Sequence, residues 1–178
     1  DLLAALGLTA EACNVSTEAA AAFPLRGPRG FVARMRYGDP ADPLLRQVLP
    51  VDAENTVRPD FGTDPVGDLD SVLAPGLLQK YAGRALLITT GACAVHCRYC
   101  FRRAFPYAGH SATPAALAAA LDAIAADHSL QEIILSGGDP LALSTAKLAE
   151  LTAALRAAPH LKRLRIHSRL PVVLPARV

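Results

Sequence analysis

The chain has 178 residues, 52% hydrophobic and 19% charged, with a formal net charge of +2 and a mean hydropathy of +0.27. That balance excludes a disordered or solvating chain, and so small a charge gives no sign of a direct nucleic-acid partner. No apolar run approaches the roughly 20 residues a membrane span requires, and none has the layout of a secretory signal. Much of the apolar fraction is alanine, as at Ala19 to Ala22 and Ala118 to Ala120, so the core is thinner than the percentage implies. Of 18 basic residues only Lys80, Lys147 and Lys162 are lysines. The size suits one domain, or a small domain with an appendage.

The first 80 residues read as an irregular, mostly helical extension. Asp1 to Leu8 and Thr17 to Phe23 suit short helices, the second started by an N-cap at Ser16 or Thr17. Pro43 to Leu49 suits a helical turn or two. Frequent prolines and glycines (Pro24, Gly27, Pro28, Gly30, and on to Pro75 and Gly76) break any longer element and imply a segment draped over another. From residue 81 the pattern alternates. Arg84 to Thr89, Gln131 to Ser136 and Arg163 to Ser168 read as strands. Thr113 to Asp127, with Thr113 as N-cap and Pro114 at the first position, and Ser144 to Ala157 read as the helices between them. Strand, helix, strand, helix, strand at this spacing predicts an α/β fold with a parallel sheet. Function in such sheets gathers at the carboxyl ends of the strands. A cysteine loop, the turn Gly137-Gly138-Asp139-Pro140 and the segment His167-Ser168-Arg169 each follow one of those ends. The chain opens at Asp1 without a methionine and stops at Val178 soon after a strand, the pattern of a fragment.

Cys13 stands alone and reads as a small core residue. Cys93, Cys97 and Cys100 fall within eight residues in the order Cys-x3-Cys-x2-Cys. Such clustering in an alanine-rich chain points to a metal and a reducing compartment, the cytoplasm, rather than a disulfide scaffold. Three thiolates on one short loop can hold three corners of a [4Fe–4S] cluster and leave the fourth iron open for a small molecule. Zinc is the alternative, but a structural zinc wants four ligands. His96 abuts Cys97 and is expected to point away. Unligated thiols complete the alternatives.

This loop, with an aromatic residue before its third cysteine, resembles the signature of the radical S-adenosylmethionine enzymes. Three longer words, Cys93 to Tyr107 (CAVHCRYCFRRAFPY), Ile134 to Leu141 (ILSGGDPL) and Leu164 to Arg177 (LRIHSRLPVVLPAR), resemble the lysine 2,3-aminomutases, and among them the branch that makes (R)-β-lysine for modifying elongation factor P. The resemblance implies a partial (βα) radical barrel in residues 81–178, its first three βα units, behind the extension of residues 1–80. It implies Cys93, Cys97 and Cys100 as metal ligands, with S-adenosyl-L-methionine on the open iron. Tyr99 would stack on adenine, or else brace the loop as a core aromatic. Gly137, Gly138 and Asp139 would meet the methionine amino group. Ser168 and Arg169 would meet a carboxylate at the end of the third strand, or else form a salt bridge within the barrel.

By the same resemblance Arg102, two residues after Cys100, pairs with the substrate carboxylate, a task for which a bidentate guanidinium is suited. The alternative for Arg98, Arg102 and Arg103 is a solvated basic face. Arg84 would meet the phosphate of pyridoxal 5′-phosphate, whose Schiff-base lysine is expected beyond residue 178, since none of the three lysines here belongs to the active rim. The implied activity is conversion of L-lysine to (R)-β-lysine, with an electron donor such as a flavodoxin or ferredoxin. A functional link to elongation factor P and its ligase follows, with no membrane partner, while monomer and homo-oligomer both stay open. Two alternatives remain: a radical enzyme acting on another amino acid such as glutamate, and a non-catalytic three-cysteine metal module.

Overall fold

The structure, a computed structural model, describes residues 2–110 and 113–178. Asp1, where the first expected helix begins, lies outside them. Seven helices are described, α1 (Leu2–Ala5), α2 (Thr17–Ala22), α3 (Arg29–Val32), α4 (Tyr107–His110), α5 (Pro114–Ala126), α6 (Thr145–Arg156) and α7 (Leu170–Val173). Five strands accompany them, β1 (Val72–Ala74), β2 (Leu77–Tyr81), β3 (Arg84–Thr90), β4 (Glu132–Gly137) and β5 (Arg163–Ile166). Short 3₁₀ turns include Leu45–Gln47 and Asp52–Asn55. The chain divides into two compact units, each built from separated stretches of sequence. One comprises Asp1–Gly62, Ala94–Arg103 and Pro171–Val178; the other comprises Thr63–Cys93 and Ala104–Leu170.

The second unit is a mixed α/β sheet in the order β1-β2-β3-β4-β5. Strands β3, β4 and β5 run parallel, as the alternation of strand and helix in the sequence requires. Thr113 caps α5 by accepting the amide of Ala116, with Pro114 at its first turn, and Ser144 caps α6 by accepting the amide of Lys147. Helix residues one turn apart, Ala120 with Ile124 and Leu151 with Leu155, join Leu87, Ile133 and Leu135 in one apolar core. Every residue of β4 except its last is buried, as befits a central strand, whereas β5 is exposed throughout.

The antiparallel strands β1 and β2 were not legible as strands. Pro75 and Gly76, which read as breakers, form the turn between them, with Gly76 at φ 77°. A second turn containing Gly83, at φ 73°, joins β2 to β3. Both glycines occupy left-handed backbone that other residues adopt only with strain. Leu77 and Leu78 are buried through pairing with Leu87 and Leu86 of β3, a non-local gain that the local pattern Leu-Leu-Gln-Lys-Tyr does not announce.

At the amino end of the parallel strands, Arg84, Glu132 and Arg163 stand in one row across β3, β4 and β5. Glu132 lies 3.0 Å from Arg84 Nε, 2.8 Å from Arg163 Nη1 and 3.2 Å from Arg165 Nε. Burial alone would raise its pKa, but the hydrogen bond from Arg163 and the charges of Arg165 and Arg84 outweigh burial and hold the carboxyl below its ordinary value. At the opposite end, β4 closes on the chain leaving β3. The amide of Gly138 donates to Thr90 O at 2.7 Å and that of Asp139 to Ala92 O at 2.8 Å. A Cβ on Gly138 would sit 2.4 Å from Ala92 O, and one on Gly137, at φ 114°, would sit 2.6 Å from Thr90 O. Glycine is therefore required by backbone contact alone.

The first unit has its own core of Leu6, Cys13, Phe31, Met35, Leu45, Val48, Leu49, Val95 and Val173. Cys13 is buried there as an ordinary small apolar residue. Ser16 caps α2 by accepting the amide of Ala19, and itself receives Asn55 Nδ2 at 2.9 Å.

Two outcomes test this account. A carboxyl whose folded pKa is depressed stabilises the fold above its unfolded pKa, and that contribution disappears as pH falls through the folded value. Urea midpoints of the wild-type chain should therefore fall below about pH 5, and Glu132→Gln should flatten part of that slope. Gly138→Ala, driven against backbone rather than a yielding side chain, should lower stability by about 1–3 kcal/mol. Gly30→Ala, where a Cβ meets nothing within 4 Å, should leave thermal unfolding nearly unchanged.

Candidate functional site

In the sheet unit, the carboxyl ends of β4 and β5 are joined through one side chain. Asp139 is 4% exposed. Its Oδ1 accepts Ser168 Oγ at 2.7 Å and the amide of Leu141 at 3.0 Å. Its Oδ2 accepts the amides of Arg169 at 2.8 Å and Leu170 at 2.9 Å. The Ser168 hydroxyl meanwhile accepts the amide of Leu170 at 3.0 Å. A carboxylate offers about four lone-pair positions, and four donors of the chain meet them. Sequence reasoning gave this side chain to the ammonium of a ligand. In the structure it fixes Ser168 and the Arg169 amide beside the Gly137-Gly138 turn. Asp139, Ser168, Arg169 and the two glycines are thus brought together, and the backbone of the turn lies against Thr90 to Ala92, immediately before Cys93.

The cysteine loop is held in the other unit from Ala94 onward. Val95 enters the apolar core. His96 turns to the leading residues: its amide donates to Arg26 O at 3.0 Å, its Nδ1 lies 2.7 Å from Pro24 O, and its ring stacks on Phe23 at 4.6 Å. A carbonyl only accepts, so Nδ1 carries the proton and is not offered to a metal. The turn itself is tight, with the Cys100 amide donating to Cys97 O at 2.9 Å and the Arg103 amide to Cys100 O at 3.2 Å.

Three arginines of this loop are drawn inward rather than spread on a solvated face. The Arg98 side chain is 6% exposed. It meets Glu54 through two bonds, Nε to Oε1 at 2.9 Å and Nη2 to Oε2 at 2.7 Å. It also donates to the carbonyls of Ala19 and Phe23 at the end of α2, where a cation complements the helix dipole. Arg103 Nη1 reaches the same Glu54 Oε2 at 2.8 Å. Burial would raise the Glu54 pKa, but the hydrogen bonds from Arg98 and Arg103 outweigh it and lower the value. Arg102 is buried and lies over the Phe101 ring at 4.7 Å. Tyr99 is 60% exposed, which removes the reading of it as a core aromatic; its hydroxyl lies 3.4 Å from Gln47 Oε1.

None of the four cysteines is in a disulfide, and Cys93, Cys97 and Cys100 are each half-buried. Among the described residues, no three His, Cys, Asp or Glu side chains stand close enough together to hold a metal ion as placed. The fit of the loop to a cluster therefore rests on its donor set: three reduced thiols in eight residues. That set suits an iron–sulfur cluster with one open iron better than a four-ligand zinc.

Arg84 is not brought to the carboxyl rim. It starts β3, roughly 20 Å of strand from that end, and its guanidinium faces Glu132. The lysines are placed elsewhere too. Lys80 pairs with Asp68 at 2.6 Å, and Lys147 and Lys162 are exposed on α6 and just before β5. The described residues do not supply a Schiff-base lysine at this rim. Sequence reasoning missed Glu54, whose partners lie 44 and 49 positions away. The only local signal was a surplus of cations in the loop.

The model of the Radical SAM superfamily matches residues 87–176. The chain is 54% identical over 156 residues to a protein of Escherichia coli (strain K12) named L-lysine 2,3-aminomutase, covering 88% of this chain and 45% of that protein. It is 44% identical over 177 residues to a protein of the same name from Haemophilus influenzae, covering 99% of this chain and 52% of that one. A third of that name, from Clostridium subterminale, is 37% identical over 150 residues, covering 83% and 36%. The chain thus spans about half the length, or less, of these curated relatives. The matched segment, running from β3 through the cysteine loop and past β5, places the chain in the Radical SAM superfamily.

Proposed function

We propose that this chain forms the cluster-bearing part, the first three βα units of the barrel, of a radical S-adenosylmethionine enzyme that converts L-α-lysine to (R)-β-lysine for modification of elongation factor P. One observation carries the reading: a three-thiol loop follows directly on the carboxyl end of β3, in a chain whose relatives bear the name L-lysine 2,3-aminomutase. The reaction exchanges the α-amino group of lysine with a hydrogen on the β-carbon, so substrate and product have the same composition and no net oxidation occurs.

Cys93, Cys97 and Cys100 would hold three irons of a [4Fe–4S] cluster, leaving the fourth for the amino and carboxylate groups of S-adenosylmethionine. When bound and reduced by a donor of flavodoxin or ferredoxin type, that pair supplies a carbon radical able to take up and return hydrogen. The protein's own residues provide position. Gly137 and Gly138 bring bare backbone to the start of the loop. Asp139 holds Ser168 and Arg169 at the rim, where the arginine would meet a ligand carboxylate. Arg102 would pair with the substrate carboxylate, and the exposed face of Tyr99 suits stacking on adenine. Pyridoxal 5′-phosphate, expected from the resemblance, finds no lysine at the rim among the described residues. No step is assigned to it, and Arg84 is not assigned to its phosphate.

The protein as its gene encodes it, purified without oxygen and reconstituted with iron and sulfide, should be brown and hold the two elements in near-equal amounts. Supplied with S-adenosylmethionine, a reductant and single amino acids, it should form β-lysine from lysine, of (R) configuration on a chiral column. β-Glutamate from glutamate in its place would transfer the assignment to another amino acid, and colourless zinc-loaded protein would overturn the enzyme reading. Cys97→Ala should abolish both the cluster absorption and the cleavage of S-adenosylmethionine, and Cys13→Ala should spare both.

A further inference from the structure

The leading residues hold the cysteine loop through one carboxylate, and that contact assigns them work beyond covering apolar surface. Glu54 sits in the 3₁₀ turn Asp52–Asn55, where its Oε1 also accepts the amide of Val51 at 3.2 Å. Its two oxygens gather Arg98, the residue after Cys97, and Arg103, three residues after Cys100. Both guanidiniums lie against Phe23, at 5.2 and 5.3 Å from its ring centre. The opposite face of the same loop is pinned by backbone, since the Arg98 amide donates to Gln47 O at 2.8 Å. Cys97, Cys100 and Arg102 therefore lie on a short turn in which Arg98 and Arg103 share one half-buried anion.

We infer that Glu54 is the positioning residue of the cluster loop: it fixes the Cys97–Arg103 turn by binding Arg98 and Arg103 together, so that Cys97 and Cys100 are presented as ligands. Charge logic supports this role. Three cations within six residues repel one another, and a turn carrying them would open unless an anion were placed between two. Glu54 is that anion. It has to come from a distant segment because among residues 93–103 there is no Asp or Glu. A bidentate fork also fixes orientation as well as charge, which a single lysine–carboxylate contact would not.

The inference rests on the reading that the three cysteines hold a cluster, and the test separates the two. Glu54→Gln keeps the size of the side chain and one acceptor oxygen but removes the shared charge; Arg103→Met removes only one of the two cations. In the cluster-free protein, hydrogen exchange followed by mass spectrometry should show residues 94–103 exchanging about tenfold faster in Glu54→Gln, with Arg103→Met intermediate and peptides of β3 and β4 unchanged. Alkylation of Cys97 and Cys100 should accelerate in the same order, and that of Cys13 should not. After reconstitution, both variants should lose iron to a chelator faster than wild type, again in that order.

Exchange and alkylation of the loop at wild-type rates in both variants would overturn the inference. So would loss of the folded far-ultraviolet spectrum in both, because the ion cluster would then hold the whole unit rather than the loop. If the wild-type protein takes up no iron, the cluster reading fails by itself, and the exchange and alkylation rates still decide the role of Glu54.

Discussion

A carboxylate removed from water is tolerable only where donors meet it. Removing one partner of a buried ion pair costs on the order of 3–5 kcal/mol, a large fraction of the stability of a chain this size. Each compact unit of this protein is organised around such a group. Asp139 gathers a hydroxyl and three amides at the carboxyl ends of β4 and β5. Glu54 gathers two guanidiniums and an amide around the cysteine loop. Neither contact is local, so each ties together segments that would otherwise end as separate loops.

The same requirement explains which polar residues are available for chemistry and which are committed to the fold. Asp139 is occupied by the Ser168 hydroxyl and the amides of Leu141, Arg169 and Leu170. His96 is held by Pro24 through Nδ1 and by Phe23 through its ring. Arg98 and Arg103 are committed to Glu54. Glu132 performs the parallel task at the amino end, where it meets Arg84 and Arg163 in one cross-strand row and Arg165 two residues further along β5. A central strand buried along its length can carry a glutamate there only because both neighbours bring cations to it.

Glycine at the Gly137-Gly138 turn has two readings, and they are compatible. A ligand approaching the backbone would need small residues, and the chain itself already does. Thr90 and Ala92 carbonyls occupy the space that side chains would fill. The signature word thus records a packing requirement that would persist in the absence of any ligand, while leaving the turn beside the loop that begins at Cys93.

The sequence by itself determined the local features. It determined the parallel strands β3, β4 and β5, the capped helices α5 and α6 that link them, and the order of the three cysteines, because hydrophobic period, capping residues and motif spacing are properties of neighbouring residues. It also identified the family through words that run continuously along the chain. Tertiary structure decided the rest. The strands β1 and β2 exist through pairing with β3, the Asp139 carboxylate is spent on a segment 30 residues away, and Arg84 is neutralised at the end of the sheet remote from the rim. Glu54 meets the cysteine loop from more than 40 residues away. Which carboxylate reaches which cation across such distances depends on how the backbone folds back on itself, and no periodicity in the chain encodes that.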